Sequence, residues 1–242
     1  MINQWDNNAA KRHKQILEGL DYSFDNVLSP TFIKLLNGIE EVKMRNVLDV
    51  GCGSGILTYR LSSLVGNIKG VDPSAKSIKI AKKEFGTIKN LEFLCSSIED
   101  HQSNEKYEVI ISNMTIQATK NIEKVFYSIS KLMNKSGVFI FSIPHPCFWI
   151  EYRKRIGLDE YKNYRYGRNS KYRITFSISN DRIPLPSRVP LYHRRIEYYS
   201  DQLDLAGFCI KRLLEPYPKE IEGTNANWET PHFLFFICSL AN

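Results

Sequence analysis

The chain has 242 residues, 43% of them hydrophobic and 24% charged, an ordinary globular balance that excludes fibres, collagen-like repeats and disordered tails. Thirty-three Lys and Arg against 26 Asp and Glu leave a net charge of +7, which suits nucleic acid, an acidic metabolite or an acidic partner without choosing among them. No stretch reaches the roughly 18 to 20 apolar residues of a membrane span, and Met1 to Ala10 is polar with no signal-peptide core. One α/β domain is expected, in a cytoplasmic protein that is a monomer or homodimer with no membrane partner. The five cysteines, Cys52, Cys95, Cys147, Cys209 and Cys238, are widely spaced with no C-x-x-C pair. They read as reduced thiols, with no disulfide set and no metal site.

Apolar residues at Ile16, Leu17 and Leu20, then at Phe32, Ile33, Leu35, Leu36 and Ile39, predict two helices broken around Ser29-Pro30. Pro30 fits the first turn of the second helix, with Ser29 as its cap. From Asn46 the texture changes. Strands are predicted at Asn46 to Val50, Ile68 to Val71, Leu91 to Cys95, Tyr107 to Ser112 and Gly137 to Ile143. Between them lie helical patterns at Leu57 to Leu64, Ala75 to Phe85 and Ile122 to Met133. That alternation implies a mostly parallel sheet with helices on both faces. It then stops for some fifty residues, where Glu151 to Arg173 is rich in Arg, Lys and Tyr and Ile183 to Pro190 carries three prolines that favour an extended connection. A last helix, Ile196 to Ala206, ends at Gly207, and Phe208 to Leu214 and Phe233 to Leu240 read as closing strands.

Val47-Leu48-Asp49-Val50-Gly51-Cys52-Gly53-Ser54-Gly55 is a buried strand running into three glycines at alternate positions and then a helix. Glycine there admits a tight bend and close approach of a ligand to the backbone. About 20 residues on, Gly70-Val71-Asp72-Pro73 puts a carboxylate where ribose hydroxyls could donate to it. A dinucleotide fingerprint wants glycine at position 56, which is Ile56, and no lysine follows to make a phosphate loop. A diphosphate is therefore disfavoured against a smaller group. Asp72 ahead of a helix also suits a capping role.

The order V-L-D-V-G-C-G-S-G, then G-V-D-P-S, then Tyr107-Glu108-Val109-Ile110-Ile111-Ser112-Asn113, then Leu132 to Ile143, resembles the class I S-adenosylmethionine-dependent methyltransferases. Ser142 to Phe148, Leu191 to Arg195 and Gly207 to Pro216 resemble a bacterial small-molecule subgroup of that family. The resemblance implies a doubly wound, mostly parallel, Rossmann-like sheet of seven strands with the last antiparallel. Residues 1–44 would form a helical cap, 45–143 the cofactor-binding core, 144–193 a substrate lid inserted after the fifth strand, and 194–242 the closing helix and strands. It implies S-adenosylmethionine as cofactor, with Asp49, Gly51, Cys52 and Gly53 at its methionyl end, Asp72 on the ribose and Pro73 against the adenine. Ser97 and Ile98 would cup the adenine edge, Ser97 standing where many members carry an aspartate. Asn113 and Met114 would lie beside the sulfonium.

Methyl transfer from a sulfonium is an in-line displacement, for which the protein chiefly aligns nucleophile, carbon and sulfur. Hydroxyl, phenol or acidic-carbon acceptors also benefit from a base near neutral pKa. His145, presented by flanking prolines after the fifth strand, and His193, beside Tyr192 and Arg194, are the candidate catalytic residues. Trp5, Tyr22, Tyr192 and Arg194 are the candidate acceptor contacts, with Phe24 and Phe32 completing an N-terminal wall. Cys147 sits among Phe148, Trp149 and Ile150, a setting that favours burial over nucleophilic catalysis. The basic, tyrosine-rich insertion admits two roles. It is a lid whose tyrosines wall the acceptor pocket while its cations stay in solvent, or an RNA-binding segment of an RNA methyltransferase. A small-molecule acceptor is the primary expectation, and a cofactor-binding module without catalysis is the third.

Overall fold

The computed structural model describes residues 2–150, 153, 164–175, 185–218 and 228–241. Helices α1 (Ile2–Leu17) and α2 (Ser29–Asn37) precede an alternating core: β1 (Asn46–Val50), α3 (Ile56–Ser62), β2 (Asn67–Asp72), α4 (Ala75–Phe85), β3 (Leu91–Cys95), β4 (Tyr107–Asn113), α5 (Ile122–Leu132) and β5 (Met133–Pro144). A hairpin of β6 (Ser170–Ile174) and β7 (Val189–His193) leads to α6 (Ile196–Leu205), β8 (Phe208–Leu214) and β9 (Phe233–Leu240). No helix among the described residues is long and apolar enough to cross a membrane.

Seven strands form one sheet in the order β3-β2-β1-β4-β5-β9-β8, with β1 to β5 paired in parallel and β9 antiparallel to both neighbours. This is the doubly wound architecture expected. Central strands are covered on both faces, so β1 and β4 are buried almost throughout rather than alternating. Val47, Ile68, Phe93 and Val109 pack against α2, α3 and α4, while Leu48, Val71, Ile110 and Phe139 pack against α5 and α6. The strand order reverses between β1 and β4, and the carboxyl ends of those two strands diverge to leave a crevice.

Three features differ from the sequence-based expectation. Helix α1 starts far ahead of the Ile16-Leu17-Leu20 cluster and ends at Leu17, its inward stripe being Trp5, Asn8, Ala9, Arg12, His13 and Ile16, and Leu17 is exposed. Ser29 does not cap α2. The chain enters through a π-helical turn at Phe24–Leu28 that leaves Ser29 buried inside the helix, and the cap is made about two turns earlier, where Asp21 Oδ1 accepts from Phe24 N (3.0 Å). The insertion contains the β6–β7 hairpin, which rests on its own small core of Ile150, Tyr164, Ile174, Val189 and Leu191. Most of the basic segment preceding it, residues 154–163, lies outside the described residues.

Candidate active site

At the carboxyl end of β1 the backbone turns sharply, and Gly51 N and Cys52 N donate to Val71 O at 2.8 and 3.1 Å, pinning the loop to β2. Gly51 has φ +76°, and a Cβ there would lie 2.3 Å from the Thr115 side chain. Gly53, at φ +56°, differs: a Cβ would meet no protein atom within 4 Å and would fill the cleft instead. Gly53 N donates to Asp72 Oδ2 (2.9 Å) and Ser74 N to Asp72 Oδ1 (2.8 Å). The helix-capping role considered for Asp72 belongs to Ser74, whose hydroxyl accepts from Ser77 N and donates to Asp6 of α1 (2.6 Å).

Two carboxyls therefore sit at the mouth of β1 and β2 with different surroundings. Asp49 is 1% exposed and accepts one hydrogen bond, from Thr58 Oγ1 (2.7 Å). Burial pushes its pKa up to about 7, opposed by the Thr58 hydroxyl and reinforced by the neighbouring Asp72 charge. Burial also raises Asp72, against the Ser74 and Gly53 amides that favour its ionised form. The Cys52 thiol is raised chiefly by burial and then by both carboxylates.

Across the crevice, Met114, the residue after β4, has φ +53°, a conformation that costs a residue with a Cβ about 1 to 3 kcal/mol and clusters at functional sites. It is held by Met114 N donating to Ser142 O and Oγ, both at 3.1 Å, while Ser142 Oγ donates to Asn113 Oδ1 (2.8 Å). Gln117 Nε2 donates to Met114 O (2.6 Å) from the following turn.

These groups line one end of a cleft of about 280 Å³. Its other end is walled by Trp5, Ala9, Arg12 and Phe24 on one side, and by Trp149, Ile174, Val189 and Leu191 on the other. Arg12 pairs with the buried Asp21. Two neighbouring side chains of α1 join the two walls at Ser187: Asn7 Nδ2 donates to its Oγ (3.3 Å), and Asn8, fully buried, donates Nδ2 to its O (2.9 Å) and accepts from its N at Oδ1 (2.8 Å). Asn8→Ala leaves both Ser187 backbone groups unpaired, so an apparent loss of about 2 kcal/mol in denaturant unfolding is expected. A variant as stable as wild type would show that the clasp carries no free energy.

Of the residues predicted from sequence, Asp49, Gly51, Cys52, Gly53, Asp72, Pro73, Asn113, Met114 and Trp5 are brought together around this cleft. The others are not. Ser97 Oγ donates to Asp100 Oδ2 (2.7 Å) and Ile98 is buried in the core with Val50 and Val71. Tyr22 falls outside the lining, which takes Phe24 from that segment, and Phe32 is core, tilted against Phe235. Among the described residues the insertion's tyrosines do not line the cleft: Tyr164 is 1% exposed with its hydroxyl on Pro146 O, and the wall is made by Ile174, Val189 and Leu191; Tyr152 and Tyr161 lie outside the described residues.

His145, Tyr192, His193 and Arg194 surround a separate cavity of about 10 Å³ behind that wall, space for one water. His145 lies outside the lining of the cleft. Cys147 N donates to its Nδ1 (3.2 Å), which leaves the ring proton on Nε2, and that proton goes to Glu215 Oε1 (2.8 Å). Burial lowers its pKa, against the favourable Glu215 hydrogen bond and charge. With both nitrogens engaged it is a structural bridge between β5 and the chain after β8. His193 Nε2 donates to Tyr166 O (3.0 Å), and burial lowers its pKa also. Arg194 donates to Thr119 O and Lys120 O at 2.7 and 2.8 Å, tying the hairpin to the turn after β4. Cys147 is half-buried rather than buried, and its thiol is raised by burial, as the nucleophilic role would not want.

Sequence reasoning missed Asn8, Arg12, Thr115, Gln117 and the hairpin residues. For α1 a signal existed in the i, i+3, i+4 spacing of Trp5, Asn8, Ala9, Arg12, His13 and Ile16, but half of that stripe is polar.

The geometry suits an adenosyl cofactor: a carboxylate beside an amide-rich turn, and a glycine whose missing side chain leaves room. Residues 41–156 match the family described as a methyltransferase domain. The chain is 33% identical over 99 residues to malonyl-[acyl-carrier protein] O-methyltransferase 2 of Ilyobacter polytropus, a match covering 40% of this chain and 38% of that protein. The chain thus spans well under half the length of that curated relative. Among solved structures, an S-adenosylmethionine-dependent methyltransferase from Clostridium acetobutylicum superposes with a TM-score of 0.67 at 16% identity, over 96% of this chain and 98% of that one. DhpI in complex with S-adenosylhomocysteine gives 0.64 at 15% identity, over 99% and 95%. Residues 41–156 thus match a methyltransferase domain, and the chain shares the fold of S-adenosylmethionine-dependent methyltransferases.

Proposed function

We propose that the protein transfers the methyl group of S-adenosylmethionine to an oxygen, nitrogen or carbon atom of a small acceptor group, with residues 144–193 as the lid of the acceptor chamber. The observation that carries this reading is the continuity of one cleft from the Gly53–Asp72 pair, past Met114, to the apolar side chains of Trp5, Trp149, Val189 and Leu191. The cofactor, when bound, supplies an electrophilic methyl on a sulfonium whose sulfur leaves as a neutral thioether. Asp72 fixes Gly53 through Oδ2 and keeps further lone pairs for hydroxyl donors. Asn113 and Met114 set the floor at the point where β1 and β4 diverge. The apolar walls exclude water from the acceptor and hold it in line, and alignment of this kind can supply up to roughly 7 to 11 kcal/mol. Because His145 is engaged at both nitrogens and His193 stands behind the wall, the transfer rests on alignment rather than on a histidine base.

The relative named for malonyl-[acyl-carrier protein] supports an acceptor group that arrives attached to a protein as readily as a free metabolite. The RNA alternative draws less support, because, of the described interleaved tyrosines, Tyr164 and Tyr172 pack inward and Tyr166 alone is exposed. Incubation with methyl-labelled cofactor and a cell extract should label one acceptor. Asp72→Ala should weaken S-adenosylmethionine binding by about 1.5 to 3 kcal/mol through lost charge-assisted hydrogen bonds, measured by titration calorimetry. Unchanged affinity would remove Asp72 from the cofactor half, and absence of any cofactor binding would sink the whole reading.

A further inference from the structure

In β6 the side chains alternate. Tyr172 and Ile174, paired with Leu191 and Val189, face the small core and the cleft, while Lys171 and Arg173 face out and are exposed. Arg165 and Arg168, in the turn that leads into β6, are exposed as well. None of these four cations is ion-paired to a described residue, and neither 164–175 nor 185–194 contains an Asp or Glu. The acceptor wall therefore has an apolar inner surface and a concentrated positive outer one. Like charges at this density repel one another and raise the local potential, a penalty that an acidic surface relieves.

We propose that the outward face of β6, with the turn before it, docks an acidic protein that carries the methyl acceptor on a flexible arm reaching into the cleft. The inference rests on the proposed methyl transfer. A nucleic acid would satisfy the charges equally, but it also wants exposed aromatic faces. Here, among the described tyrosines of the insertion, Tyr164 is buried, Tyr172 packs against the small core, and Tyr166 alone is exposed, its ring against His193 and its hydroxyl accepting from Ile196 N, one face where a stacking surface needs several. What remains outward is charge on a short strand, the kind of rim that speeds encounter with an oppositely charged protein and is screened by salt.

The probe is a labelled acyl carrier protein bearing its phosphopantetheine arm, titrated by fluorescence anisotropy in 50 and 300 mM NaCl, with a twenty-nucleotide single-stranded RNA in parallel. The carrier is expected to bind saturably, tenfold or more weaker at the higher salt. Lys171→Glu with Arg173→Glu should weaken it at least tenfold, while S-adenosylmethionine affinity stays within twofold. Should that pair unfold, Lys171→Gln with Arg173→Gln serves, with a smaller loss of the same sign. No saturable carrier binding, equal binding by the variants, or tighter binding of the RNA would each overturn the docking surface. Failure of the unaltered protein to bind S-adenosylmethionine is a separate result, and it strikes the methyl-transfer reading instead.

Discussion

Asp49→Asn should make the cofactor-free protein more stable and the cofactor site worse, with both effects growing as pH rises. The side chain is buried and its pKa is pushed up to about 7, against an ordinary value near 3.8. An acid raised in the folded state binds its proton more tightly there than in the unfolded chain. Its favourable contribution is thus complete below about pH 4 and is lost progressively as pH climbs to about 7. Some three pKa units correspond to at most about 4 kcal/mol, and asparagine, which does not titrate, escapes that loss. Urea melts at pH 4.5 and 7.5 should show the variant's advantage opening with pH. A cation bound in the cleft favours the carboxylate, so S-adenosylmethionine affinity should rise with pH in wild type and stay flat in the variant. Parallel affinity profiles would show that Asp49 does not feel the ligand.

The glycine loop supplies the second large effect, and its two inner glycines should fail in different ways. At Gly51 a methyl group meets Thr115 at 2.3 Å in a left-handed backbone, so conformational strain of about 1 to 2 kcal/mol adds to overpacking of about 1 to 3. Gly51→Ala should lose most of that sum in chemical unfolding. Gly53→Ala meets nothing in the protein and should cost only the backbone term, yet its methyl group stands where a ligand would, so its loss should register in cofactor affinity. If calorimetry and unfolding rank the two variants the same way, the distinction between a structural and a ligand-facing glycine is wrong.

The cofactor half was legible because its chemistry is local. Strand, alternate glycines, helix and a spaced acid follow one another between Val47 and Asp72, and each residue type is demanded by backbone geometry. The sheet was legible for a related reason, since strands covered on both faces read as short apolar runs. What stayed hidden depends on partners far away in sequence. His145 stands beside prolines at the expected sheet edge, but its ring is held by Cys147 N and by Glu215, seventy residues on, neither of which lines the cleft. Helix α1 was misplaced because its buried stripe holds Asn8, Arg12 and His13, whose partners are Ser187, Asp21 and Ser54. The hairpin was masked by Pro190, which sits in β7 opposite Arg173 of a two-stranded ladder where a missing amide hydrogen is tolerated.

The Asn8–Ser187 pair spans 179 residues, and this separation orders events on the ribosome. At about 5 to 20 residues per second, Asn8 waits roughly 10 to 40 s after synthesis before its backbone counterpart exists. The glycine turn and Asp72 emerge early in that interval. The cofactor half is thus synthesised well before the last contact of the acceptor compartment can form, and β8 and β9, which complete both cores, come later still.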